Sequence, residues 1–197
     1  MGREFELKYT AAPEQLDAIR EVFPDLTPIE METTYYDTPD GDLSDRRWTL
    51  RRRFENGRSV CTIKTPAAGG ARGEWELEMD DIREAIPELC KLGAPEELLS
   101  LTAGGVVSVC GARFTRLAGE IAAEGCTLEL ALDHGILIGG NKTTPLCEVE
   151  VELKSGEDAD AVAYAQALSR KFALSPQPKS KYRRALDLAR SKENDHV

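Results

Sequence analysis

Several short stretches of this 197-residue chain place charged side chains at intervals of two, and that spacing is where chemistry would begin. Near the start, Glu4, Glu6 and Lys8 alternate with Phe5, Leu7 and Tyr9. Late in the chain, Glu148, Glu150 and Glu152 alternate with Val149, Val151 and Leu153. Between them, Arg51 and Arg53 share a parity, as do Thr62 and Lys64, and Glu74, Glu76 and Glu78 alternate with Trp75, Leu77 and Met79. Successive side chains of a strand point to opposite faces, so each set would occupy one face of a strand. One such strand is commonly a solvated face. Here the strands are sorted by sign, whereas solvated faces usually mix Lys, Glu, Thr and Ser. Like charges in a row repel unless opposite charge lies across from them. A closed barrel with an apolar, helix-covered exterior and an acid-and-base lumen is the economical arrangement.

Such a lumen suits a polyphosphate. Arg51, Arg53, Lys64 and Lys8 could grip phosphate oxygens, the arginines in bidentate fashion. Glutamates alone would repel phosphate, but a hard divalent cation such as Mg²⁺ or Mn²⁺ joins carboxylate to phosphate.

The elements that must position these groups follow from periodicity and turn chemistry. Residues 4–10 read as a strand, and Pro13 opens a helix whose Leu16, Ile19, Val22 and Phe23 keep a helical period. "METTYYD" is a strand followed by a Pro/Asp/Gly turn, and "ENGR" at 55–58 joins two strands as a hairpin. Residues 81–103 read as helical, with Pro87 dividing or kinking them. "ARFTRLAGEIAA" reads as a strand. "CTLELALDHGILIGG" reads as a strand, a turn at Asp133–Gly135 and a second short strand; "LCEVEVELKSG" is a further strand. Helices are expected over "DADAVAYAQALSRKF" and "KSKYRRALDLARSK". The total is about eight strands in an α+β fold: an eight-stranded antiparallel closed barrel, helices packed outside it, and a C-terminal helix. One domain is expected over residues 1–190, with 191–197 a frayed tail.

Composition narrows the class. Charged residues are 30% and apolar residues 41%, which marks a globular chain. No run of about 18 apolar residues exists and charge begins at Arg3, so neither a membrane span nor a secretory signal is expected. The five cysteines form no CxxC pair and read as reduced thiols of a cytoplasmic protein. A net charge of −10 argues against nucleic-acid and anionic-membrane partners, while five arginines within residues 46–54 point to a specific anion site. His134 and His196 are not placed for catalysis, which disfavours His-centred nucleophilic or Zn chemistry.

The ordered set "EFELKY", "YYDTPDGDL", "LRRRF", "TIK", "EWELE", "FTR", "LALDHG", "CEVEVELKSG" and "KSKYRR" resembles the CYTH domain family, also called triphosphate tunnel metalloenzymes, over about residues 2–190. The resemblance implies an antiparallel β-tunnel that binds triphosphates with divalent cations. By position it implies Glu4, Glu6, Glu148 and Glu150 as metal ligands. Lys8, Arg51, Arg53, Lys64, Arg72, Arg116 and Lys181 would hold the substrate, and Lys8, Glu76 and Arg116 would carry the catalytic roles. Arg52 and Arg113 are expected outside, by parity, and Tyr35 or Tyr36 could polarise a phosphate. The implied activity is hydrolysis of inorganic tripolyphosphate with Mg²⁺ or Mn²⁺ as cofactor. Alternatives are an organic triphosphatase for thiamine or nucleoside triphosphates, an adenylyl cyclase, or a polyphosphate-binding module without turnover. An organic substrate would need a recognition surface, for which Trp48 or Trp75 is a candidate, although Trp75 lies on an apolar face. No further helical phosphate-binding domain is expected, and monomer and homodimer are both compatible with a barrel.

Overall fold

The computed structural model describes residues 2–66 and 72–191, and their side chains except at positions 2–4 and 72. The chain runs β1 (Gly2–Glu4), β2 (Glu6–Thr10), α1 (Pro13–Val22), β3 (Thr27–Asp37), α2 (Asp42–Asp45), β4 (Thr49–Glu55), β5 (Arg58–Pro66) and β6 (Arg72–Glu78). It continues through α3 (Ile82–Lys91), α4 (Glu97–Leu101), β7 (Val107–Ala123), β8 (Cys126–Gly139), β9 (Lys142–Gly156), α5 (Asp158–Phe172), β10 (Ser175–Pro176) and α6 (Lys181–Arg190).

All pairings are antiparallel, in the order β1-β6-β5-β4-β3-β7-β8-β9-β2-β10. This corrects the expected eight-stranded closed barrel: among the described residues the sheet has ten strands and is open, with β1 at one end and β10 at the other. The reason lies at Phe5. The N-terminal segment changes neighbours there, β1 pairing with β6 and β2 with β9, and among the described residues no ladder joins β6 to β9. Both terminal strands are very short, which blunts the tendency of a sheet edge to recruit another chain.

The predicted hairpin forms as read. Asn56 and Gly57 take φ of 43° and 90°, the left-handed pair that a two-residue turn requires, and Glu55 faces Arg58 across it. The predicted turn at Asp133–Gly135 does not form; β8 passes straight through, with His134 opposite Cys147 and its side chain exposed. Pro87 lies inside α3 without ending it, and the chain breaks later, before α4.

Three apolar clusters hold the fold. Leu16 and Ile19 of α1 and Ala161, Ala165 and Leu168 of α5 pack on Leu128, Leu130, Val149 and Val151, the outward residues of β8 and β9. Ile82, Ala85, Ile86 and Leu89 of α3 pack on Leu50, Cys61 and Ile63, and Trp48 and Trp75 belong to this cluster. Helix α6 does something different. Its Tyr182, Ala185 and Leu186 meet Met31, Tyr35, Ala112, Phe114, Leu137 and Leu146. These last share parity with the charged residues, so α6 caps the apolar end of the concave face. The charged end stays open beside it. No helix among the described residues is long and apolar enough to cross a membrane.

Candidate functional site

Alternation delivers the charges to one side. On β2 Glu6 and Lys8 face inward, on β4 Arg51, Arg53 and Glu55, on β5 Lys64, and on β6 Glu74 and Glu76. On β7 it is Arg116, on β8 Glu129, and on β9 Glu150, Glu152 and Lys154. With Lys181 from α6, they line a groove of about 350 Å³. Among the described residues seven acids and seven bases line it, so this part of its wall is formally neutral although the whole chain carries −10. A multiply charged anion entering a neutral wall leaves an excess of negative charge, which is an argument for an accompanying cation.

The two signs are arranged by strand. Arg51, Arg53 and Lys64 form a basic side on β4 and β5, held by Glu74, which lies 3.7 Å from Arg51 and 3.2 Å from Lys64. Among the described residues the buried Arg51 Nε has no hydrogen-bond partner, and the same is true of Arg52 Nε on the opposite face. Burial, then the neighbouring Arg51 cation, lowers the pKa of Arg53; adjacent Glu55 works against this. Across the groove, Glu6, Glu152 and Glu129 stand directly opposite one another on β2, β9 and β8. Lys8 bonds Glu6 at 2.6 Å, and Lys154 lies 2.9 Å from Glu152 and 3.6 Å from Glu129.

The deepest part is a buried network. Arg116 donates Nε and Nη2 to Asp133, both at 2.7 Å, and Nη2 also to Glu150. Lys181 Nζ lies 2.7 Å from Asp133, 2.9 Å from Glu148 and 2.6 Å from Glu150. Arg184 Nη2 donates to Glu148 at 2.6 Å. Burial alone would raise the Glu150 carboxyl, but Lys181 and then Arg116 override it and hold the group well below the usual carboxylate range. Burial would lower Lys181, but Glu150, Asp133 and Glu148 hold it far above the ordinary lysine value.

The sign of the resulting pH dependence follows. A depressed carboxyl stabilises the fold fully above its unfolded pKa of about 4.3, and the contribution is lost as pH falls toward the folded value. The raised lysine contributes fully below about 10.4 and loses its contribution only as pH rises further. The melting temperature is therefore expected to fall on acidification from about pH 5 to about pH 3, and less steeply in Glu150→Gln. Parallel slopes for the two proteins by differential scanning fluorimetry would contradict this.

The residues singled out from the sequence are partly gathered. Lys8, Glu6, Arg51, Arg53, Lys64, Glu76, Arg116, Glu150 and Lys181 line the groove. Glu148 lies behind it, fully buried. Glu6 is one row away from Glu150, since its cross-strand partner is Glu152 and that of Glu150 is Lys8. The side chains of Glu4 and Arg72 lie outside the described residues. Arg113 is exposed and pairs with Glu32 at 3.3 Å, while Arg52 points away from the groove and donates to the Asp80 carbonyl. Tyr35 lines the groove with its ring 5.1 Å from that of Tyr182, and burial raises its hydroxyl pKa. Tyr36 and both tryptophans sit in the α3 cluster.

Sequence reasoning left out Asp133, Arg184 and Lys154. Asp133 shares parity with Glu129, Lys154 continues the row of Glu148 to Glu152, and Arg184 lies three residues after Lys181 on one helix face. Those spacings were the available signals.

An antiparallel sheet whose concave face opposes a basic wall to an acidic one, with a C-terminal helix set over one end, defines a class of anion-binding fold. The CYTH domain family model matches residues 2–186, and the chain belongs to that family. An inorganic triphosphatase of Haemophilus influenzae is 26% identical over 175 residues, covering 85% of this chain and 50% of that protein. The chain thus spans about half the length of this curated relative. Three solved structures share the fold. A Bacillus halodurans protein provisionally named an adenylate cyclase superposes with a TM-score of 0.65 at 20% identity, covering 93% of this chain and 98% of that one. A Pyrococcus horikoshii protein gives 0.63 at 24% identity, with 94% and 99% covered. A Hippeastrum protein described as having a dominant triphosphatase activity gives 0.62 at 19% identity, with both chains covered completely.

Proposed function

We propose that this protein hydrolyses inorganic tripolyphosphate to pyrophosphate and phosphate, with Mg²⁺ or Mn²⁺ as cofactor. The observation that carries the reading is the basic side of the groove: Arg51, Arg53 and Lys64, gathered on β4 and β5 and facing carboxylates across the cavity. The curated relative named inorganic triphosphatase supports it, as does membership of the CYTH family.

In this reading Arg51, Arg53 and Lys64 bind the phosphate oxygens, with Lys8 and Arg116 from the opposite side. Phosphoryl transfer needs little covalent help from a protein, so positioning and charge stabilisation supply the acceleration. Fixed guanidinium groups aimed at the transferring phosphoryl group stabilise charge as it spreads over the oxygens. Glu76, at the exposed rim of the groove, accepts a hydrogen bond from the attacking water and orients it. Glu6, on the open acidic side of the groove, would help to hold a divalent cation, which would supply neutralisation of phosphate charge. As arranged, the Asp133–Glu148–Glu150 centre does not fit such an ion, because one oxygen of each carboxylate is already bonded to Lys181.

An inorganic substrate is favoured by the aromatic residues of the groove. Tyr35 and Tyr182 are buried against each other, and Phe114 is covered by Arg116 and Lys181, whose charged ends lie 5.9 and 5.5 Å from its ring centre. With both tryptophans in the core, no ring of the described lining is left open to stack on a base or a thiazole. Incubation in parallel with tripolyphosphate, ATP and thiamine triphosphate, with Mg²⁺, Mn²⁺ or a chelator, is expected to release phosphate fastest from tripolyphosphate and only with metal. Preferential conversion of ATP to cyclic AMP would overturn the assignment, as would binding of all three without turnover.

A further inference from the structure

Beside the charged groove lies a second cavity whose charge balance is different. It measures about 530 Å³ and is enclosed by β2, by α2 with the residues that follow it, and by the start of α6. Among the described residues its lining carries four bases, Lys8, Arg47, Lys179 and Arg183, and one acid, Glu6. Lys8 is bonded to Glu6 at 2.6 Å. Asp187, outside the lining, serves both Lys179 and Arg183, each at 2.9 Å. With that carboxylate counted, four bases still face two acids. Arg47 has no ion pair among the described residues. The groove holds seven charges of each sign, so an anion there needs a cation beside it. In the second cavity the protein itself supplies the excess positive charge.

The backbone fixes where Arg47 stands. Its φ of 60° is a conformation that a bulky residue seldom adopts. Its amide donates to the Ser44 carbonyl, and the amide of Trp48, a residue of the α3 cluster, donates to the Leu43 carbonyl. The two spaces also share a wall: Glu6, Lys8, Thr49, Ser180 and Tyr182 line both. Lys8 therefore stands at their junction. Tyr182 adds a hydroxyl that burial keeps protonated, a donor at neutral pH. A single carboxylate would engage only part of this set. Phosphate groups in series would engage all of it, with the guanidinium forks of Arg47 and Arg183 suited to their oxygens.

We propose that the second cavity is a metal-independent phosphate subsite, which takes one end of a linear polyphosphate whose other end lies along Arg51, Arg53 and Lys64 in the groove. The inference rests on the proposed function for the polyphosphate in the groove. Its test contains neither metal nor turnover, so its failure is separate from a failure of hydrolysis.

The probe is a linear polyphosphate longer than tripolyphosphate, titrated calorimetrically into the full chain at low salt with chelator present. Arg47→Asn/Arg183→Gln removes two bases from the cavity; asparagine tolerates the left-handed backbone and glutamine suits the helix. This variant is expected to bind about tenfold more weakly than the native protein. Arg170→Gln/Lys171→Gln removes the same charge from α5, which does not line the cavity, and is expected to stay within about twofold of native. Arg53→Ala is expected to weaken binding as well, because one chain spans both spaces. No binding by the native protein in chelator would overturn the proposal, as would equal losses in the cavity and α5 variants. Loss in the cavity variant with none in Arg53→Ala would also overturn it, since the cavity would then hold a separate phosphate ion. If the cavity variant does not fold, Lys179→Gln decides in the same assay: about threefold weaker binding is expected, and unchanged binding would overturn the proposal.

Discussion

Arg53→Ala is expected to lower the rate of tripolyphosphate hydrolysis by about 10²- to 10³-fold while leaving the melting temperature unchanged or slightly raised. Two features of its position lead there. Arg53 faces the groove with only 21% of its side chain exposed, so its charge acts on a ligand through little water. It also stands two residues from Arg51 on the same strand face: burial first, and then the Arg51 cation, lower the pKa of Arg53, with the adjacent Glu55 working against them. The folded protein gains little from holding them together. A phosphoryl group whose charge spreads in the transition state gains a great deal. Removing one therefore relieves repulsion in the free protein and removes stabilisation where the reaction needs it. Arg53→Lys should recover only part of the activity, since an ammonium lacks the bidentate fork. Steady-state kinetics with a thermal melt on the same sample checks both halves. A near-normal rate would remove Arg53 from the site, and a collapse of stability would make its role structural.

Arg116→Ala should behave in the opposite way, losing stability first. Arg116 satisfies both oxygens of Asp133, whose side chain is fully buried, and contributes to Glu150 as well. Without it, three buried carboxylates face two cations, Lys181 and Arg184. Breaking a buried pair from one side costs about 3–5 kcal/mol, chiefly through the uncompensated charge that remains. Urea denaturation should show that loss, and activity should fall with it by about 10²-fold or more, because the same guanidinium lines the groove. The double variant Arg116→Met/Asp133→Asn removes both charges and is expected to be more stable than Arg116→Ala. If the two are equally unstable, the cost is one of packing rather than charge.

Much of this architecture was legible because strand parity is a local property. The shared faces on β2, β4, β5 and β9 follow from spacing alone, and so does the placing of Arg52 opposite Arg51 and Arg53; that Arg113 rather than Arg116 lies outside comes from the "FTR" match. Asn56–Gly57 announced its turn because few other pairs accept two left-handed conformations. What escaped was non-local or depended on close approach. Asp133-His134-Gly135 has turn composition, yet the glycine serves packing: a Cβ at Gly135 would come within 2.5 Å of Phe114 Cα. Parity places Asp133 with Glu129 on the charged face, but a turn expected at 133–135 gives it no role in the site. The change of neighbours at Phe5 could not be read either, since which edges a strand joins is decided by distant segments. Nor could the docking of α6 on the concave face, because an amphipathic helix does not declare which apolar surface it covers. That docking brings Lys181 and Arg184 to the buried acids.

The central claim is that the groove converts tripolyphosphate. Phosphorus NMR of tripolyphosphate incubated with the full chain and Mg²⁺ follows substrate and products together. Pyrophosphate and phosphate are expected to appear in equal amounts, at a rate abolished by chelator and strongly reduced in Arg53→Ala. An unchanged tripolyphosphate spectrum with Mg²⁺ and with Mn²⁺, from protein shown to be folded, would contradict the account.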